Sequence, residues 1–365
     1  MNRPTSLYLD LVRFVAAFMV FVSHTVRREW TGGFLWQLGP LGKVAVVIFF
    51  VLSGFVIGYA AHERENNGQI YAASRLARIY SVAIPALILT FVLDMAGRGL
   101  GLSTYNDITA GYPWAHVPWW LLNGALFLNQ VWYMQADIGS NGPYWSMGYE
   151  VPYYFVFGIA FYARGPWRWI GAGLVLLLTG PNVAALFPMW LIGLSCYHWC
   201  VRRPLGQQAG LAVWVLSSAG LLALLIPGGN YHQLYDDLTF EPGRLHSLLY
   251  FYSIAVLFAL HIVGFRGASL LLARPLDAAA RQIRWLGQRT FALYLFHMPL
   301  LRFAAGAAPW GPESWITRAV IMLGIPAAVF VLAEYTEQKK TAWREAFLTV
   351  LSRTSRRVVP APRQD

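Results

Sequence analysis

Residues 11–26 read LVRFVAAFMVFVSHTV, an apolar run interrupted by Arg13 and His24. Its composition assigns the segment to lipid, where backbone polar groups must be satisfied within the chain, and a helix does that locally. Arginine and histidine are poorly tolerated in hydrocarbon, and inside a span they mark function by default. The two stand eleven positions apart. At 3.6 residues per turn this brings them to within ~20° of one helix face, about 16 Å apart along the axis. One stripe of the first helix is therefore polar. Either each side chain reaches to its own headgroup layer, or both face a bundle interior and mark a route through it.

The rest of the chain agrees with lipid as its solvent. Of 365 residues, 57% are hydrophobic and 12% charged, about half the charge of a soluble domain. Trp, Tyr and Phe gather near the ends of the apolar stretches, as an interfacial belt requires. The net charge of +11 needs no nucleic-acid partner, because membrane proteins keep Lys and Arg in cytoplasmic loops. Cys196 and Cys200 lie four apart in one apolar span and read as buried thiols, not as a disulfide or metal pair. After the first run comes TVRREW at 25–30, unlike a signal-peptidase site, so the segment is expected to remain as a span.

Ten spans are expected: 8–26, 44–60, 80–96, 145–163, 168–180, 183–200, 210–227, 247–264, 290–306 and 316–334. With a cytoplasmic amino terminus, the inside segments hold 20 of the 28 Lys and Arg, and the outside segments hold Arg27, Arg28, Lys43, Arg98 and Arg244. Residues 119–134, WWLLNGALFLNQVWYM, would invert that balance if they crossed, so they read as re-entrant or interfacial on the outer side. The expected fold is an all-α polytopic membrane helix bundle of about ten transmembrane helices. Residues 1–335 form the transmembrane domain and 336–365 a basic cytoplasmic tail with a disordered end, near anionic lipid. Both termini are expected in the cytoplasm.

Further motifs follow in order. FFVLSGF occupies 49–55, SRLARIY 74–80, WSMGYEVPYYF 145–155 and LGQRTFALYLFHMPLL 286–301. Together with Arg13 and His24 as R-x10-H, these resemble the signature blocks FFxLSG, RxxRI, WSLxxExxFY and LGxxSYxxYLxH of the acyltransferase-3 family, integral membrane proteins that acylate extracytoplasmic sugars. Two positions depart from it: Val47 stands where the family often has an acidic residue, and Ser81 where it often has proline.

The resemblance implies a bacterial inner-membrane enzyme taking an acyl group, most often acetyl, from a cytoplasmic acyl-CoA such as acetyl-CoA. The acceptor would be a hydroxyl of an extracytoplasmic glycan or lipid-linked oligosaccharide, with an exopolysaccharide as the leading expectation. Arg75 and Arg78, three apart on one face, suit the donor's phosphates. His24 suits a general base, since neutral imidazole accepts a proton near pH 7. Arg13 would orient the donor, and Glu150 would orient the imidazole or bind acceptor hydroxyls. Trp145 and Ser146 are candidates for an acceptor surface. His297 reads as a buried hydrogen-bonding partner, and Ser53 as a packing or tunnel residue. No metal spacing occurs, and none is expected. The competing class is a proton-coupled transporter of a small solute, in which the same ionisable residues line a path.

Overall fold

The computed structural model describes residues 1–106, 116–225 and 245–358. Within them the chain is helical, with no strand. Twelve helices position the site: α1 (Arg3–Thr25), α2 (Leu41–Glu63), α3 (Gly68–Gly99), α4 (Val117–Leu126), α5 (Met147–Tyr162), α6 (Trp167–Thr179), α7 (Pro181–Arg202), α8 (Gln207–Leu225), α9 (Leu245–Ala268), α10 (Thr290–Ala307), α11 (315–335) and α12 (Lys340–Val358). Each of the ten expected spans contains one of these helices. Among the described residues, seven stretches are long and apolar enough to cross a membrane: Arg3–Thr25, Trp36–Glu63, Gly68–Gly99, Pro181–Arg202, Gln207–Leu225, Leu245–Ala278 and Trp315–Arg353. The other three differ in kind. α5 and α6 are short, at 16 and 13 residues, and α10 carries His297, Pro299 and Arg302 inside its apolar run.

The segment 119–134 is not one spanning helix. α4 has 10 residues and stops at Phe127, whose φ of 57° turns the chain out of the helix. The chain is then held against its neighbours. Tyr80 and Tyr144 hydroxyls donate to the carbonyls of Ala125 (3.0 Å) and Gly124 (2.9 Å), and the Trp132 amide donates to Thr179 (2.8 Å).

α2 is the central helix, and 67% of its span is buried, the largest share of the seven. It approaches α7 backbone to backbone. A Cβ on Gly54 would lie 2.0 Å from the Trp190 carbonyl oxygen, and one on Gly193 would lie 2.0 Å from that of Val51. Small residues are how membrane helices come this close, where lipid leaves no hydrophobic gain from association. α1 packs on α2 and α10, and α3 on α10 and α12.

The first polar turns of α3 read as loop in hydropathy, yet the helix starts at Gly68, with the Asn67 side chain accepting the Ile70 amide at 2.9 Å. Arg75 and Arg78 are therefore fixed on a rigid helix. Much of the expected tail is also ordered. α12 lies on α3, where Arg344 donates to Ser74 at 3.1 Å and the Phe347 and Tyr80 rings stand 6.0 Å apart; the tail's end, 359–365, lies outside the described residues. Cys196 and Cys200 are buried free thiols. His261 is fully bonded: its Nε2 accepts from the Tyr8 hydroxyl and from Trp214 (3.1 Å), and its Nδ1 meets Ser218 (3.0 Å), which ties α1 to α8 and α9.

Candidate active site

Two cavities lie along α1, and Tyr294 is in the wall of both. The first, a narrow arginine chamber of about 70 Å³, is walled by α1, α2, α3, α5 and α10 and receives Arg13, Ser53, Arg75, Arg78, Ser146, Glu150 and Tyr154. The second, a histidine chamber of about 880 Å³, surrounds the far end of α1 and receives His24, Trp145 and the loop between α1 and α2. The polar stripe of α1 thus serves both cavities, Arg13 in one and His24 in the other.

In the arginine chamber most charges are matched. Arg75 donates to Glu65 at 2.6 Å, with both side chains nearly buried, and its guanidinium also lies 5.5 Å from the Tyr71 ring. Arg13 stands 3.6 Å from Asp10, which also pairs with Arg284. Glu150 accepts from Ser53 (3.0 Å) and from the Tyr154 hydroxyl, and Trp190 Nε1 donates to Ser53 (3.1 Å). Arg78 differs. Among the described residues no carboxylate lies within 4.0 Å of it, although Arg13, Glu337 and Lys340 act on it electrostatically at longer range. Glu337 is 4% exposed and accepts the Ala292 amide at 2.9 Å.

In the histidine chamber the His24 ring stands 5.4 Å from that of His297, centroid to centroid, at 31°. His297 is fully buried, and its Nδ1 donates to the Leu293 carbonyl at 2.9 Å. That bond places the proton on Nδ1 and leaves Nε2 as a lone-pair acceptor. Nε2 has no partner among the described residues, and His24 is the imidazole beside it. Between the chambers, the Tyr294 hydroxyl donates to the Pro143 carbonyl (3.2 Å) and accepts from Ser146 Oγ (2.8 Å).

The structure sorts the expected site residues. Arg13, Arg75, Arg78, Ser53, Ser146 and Glu150 share the arginine chamber, while His24 and Trp145 share the other. Glu150 was expected either to orient the His24 imidazole or to bind acceptor hydroxyls; its carboxylate is held by Ser53 and Tyr154 on the arginine side, and His297 is the group beside His24. Trp145 and Ser146, adjacent in sequence, are divided between the chambers. Sequence reasoning missed Glu65, Tyr154, Tyr294, Glu337 and Lys340. Tyr154 and Tyr294 sit inside motif blocks and were readable there; Glu65, Glu337 and Lys340 belong to polar connections with no local signal. No three His, Cys, Asp or Glu side chains among the described residues are grouped to hold a metal.

The fold and site are those of a helical membrane bundle with a cationic chamber beside an imidazole chamber, and comparison with known proteins supplies the class. Residues 6–335 match the family described as the acyltransferase domain, and the chain belongs to this acyltransferase-3 family. It is 28% identical over 352 residues, 86% of each chain, to acyltransferase MdmB of Streptomyces mycarofaciens. It is 32% identical over 159 residues, 41% of this chain and 44% of the other, to an O-acetyl transferase of Shigella phage Sf6. No solved structure gives a significant match.

Proposed function

We propose that the protein carries an acyl group, acetyl in the simplest case, from a cytoplasmic acyl-CoA across the bilayer to a hydroxyl of an extracytoplasmic or lipid-linked glycan. The observation that carries this reading is the pair of neighbouring chambers with Tyr294 in the wall of both, one rich in guanidinium and the other holding a base. In the bacterial inner membrane, with both termini cytoplasmic, the arginine chamber faces the donor. Arg78, without a carboxylate partner among the described residues, holds donor phosphate, which guanidinium does well. Arg75 and Arg13, already paired, shape the entrance. The pantetheine arm passes Tyr294 toward His24, a helix distance of about 16 Å from Arg13.

His24 then takes the proton of the acceptor hydroxyl. The oxygen attacks the thioester carbonyl, the C–O bond forms, the C–S bond breaks, and the proton passes from the imidazole to the departing thiolate. His297, with its proton fixed on Nδ1 by Leu293, offers Nε2 as an acceptor that orients the His24 ring.

The test is transfer from radiolabelled acetyl-CoA into glycan by membranes containing wild type or His24→Ala at matched insertion. Label in glycan with wild type alone supports the reading. Full transfer by His24→Ala removes His24 as the base, and absence of any acetyl-CoA binding, with solute uptake into proteoliposomes, transfers the case to a transporter.

A further inference from the structure

We infer that the acceptor entering the histidine chamber is acidic, bearing a carboxylate or phosphate close to the hydroxyl that is acylated. The inference rests on the acyltransferase reading above and narrows its substrate class. Arg27, Arg28 and Lys43 all line this chamber, and no Asp or Glu is among its lining residues. Glu29 offsets part of the charge by pairing with Arg27 at 3.6 Å. The lining remains cationic, and a concave cationic surface concentrates anions.

The distribution of charge over the whole chain makes this unusual. Positive residues are depleted from the outer segments of membrane proteins, and on the proposed topology the outer connections hold Arg27, Arg28, Lys43, Arg98 and Arg244, while Arg302 and Arg318 reach them from their helices and bond the Thr104 and Thr31 carbonyls. Arg98 acts on buried Asp94, and Arg244 lies outside the described residues. The other three converge on the cavity that holds His24, from two elements: the turn after α1 and the first turn of α2. A depleted residue type gathered at the reactive end of a cavity calls for a ligand of opposite sign. Trp36 and Trp145 line the same space, and their indole faces suit the apolar faces of sugar rings. A glycan with an acidic group satisfies both features.

The experiment uses the full chain purified and reconstituted in neutral liposomes, with acetyl-CoA as donor. Acceptors are a neutral oligosaccharide, the same oligosaccharide with one glucuronate, and the same with one phosphomonoester. An acidic acceptor is expected to lower KM about tenfold, the worth of one charge-assisted hydrogen bond; whichever acid does so identifies the group. High salt should shrink the preference, and Arg28→Gln or Lys43→Gln should raise the KM of the acidic acceptor toward that of the neutral one. Equal KM for neutral and acidic acceptors overturns the inference while leaving the acyltransferase reading intact. An effect of Arg28→Gln and Lys43→Gln confined to liposomes containing phosphatidylglycerol also overturns it, since the cations then serve lipid headgroups. Acceptor binding read by tryptophan fluorescence decides the same question where no acetyl is transferred, a result that by itself counts only against acetyl-CoA as donor.

Discussion

The two chambers that share Tyr294 treat charge in opposite ways. In the arginine chamber Arg75 is bound by Glu65 and Arg13 stands by Asp10, leaving Arg78 as the guanidinium without a carboxylate at hand among the described residues. In the histidine chamber His24 is exposed to the cavity with His297, anchored by a backbone carbonyl, beside it, and the cations of the lining come from the α1–α2 connection and the first turn of α2. Matching a motif is therefore not the same as acting on a ligand. Arg75 and Arg78 belong to one RxxR block, yet the first is committed to holding the bundle and the second is available.

The largest expected effect breaks the comparison at the histidine side. His24→Ala should lower kcat by about 10²–10⁴-fold, the usual worth of a general base, with donor affinity unchanged in an acetyl-CoA binding assay. Next comes the contrast within RxxR. Arg78→Gln should raise the donor KM by roughly 10- to 100-fold, the loss of a hydrogen bond to a charged group, while the unfolding midpoint in detergent stays put. Arg75→Gln should do the reverse, destabilising the protein by about 3 kcal/mol because Glu65 is left buried without its partner. Adding Glu65→Gln should restore much of that midpoint; failure to do so would show that Arg75 is not mainly structural.

His297→Ala should lower kcat about five- to tenfold, near the net worth of one hydrogen bond, with His297→Gln retaining more activity and donor KM unaffected by either. Tyr294→Phe removes a hydroxyl that bonds Ser146 and Pro143 and keeps the ring between the chambers. A loss of only a few-fold is expected, and a loss as large as that of His24→Ala would make the hydroxyl itself a reactant.

The site was partly legible because α1 is long and regular: the eleven-residue spacing alone predicts that Arg13 and His24 share a face. Ser53 and Gly54 were also readable, and the close contact of Gly54 with Trp190 accounts for the small residue there. The position of Glu150 was not. Its place near the start of α5 suggested proximity to His24, but the rotation of α5 against α2 and α3 aims the carboxylate at Ser53 and Tyr154. Similarly, hydropathy located an apolar segment at each of the ten expected places, while the true ends of α3 and the ordering of α12 escaped it. Polar turns that pack on protein and polar turns in water have the same hydropathy.

By itself the sequence determined the solvent, the helical class, the family blocks and the polar stripe on α1. These follow from local composition and from the helix period. Only the tertiary structure decided which arginine is paired, which imidazole stands beside His24, and that Tyr294 lines both chambers. Each of those depends on how separate helices are rotated against one another, and that rotation is set by packing among residues far apart in the chain.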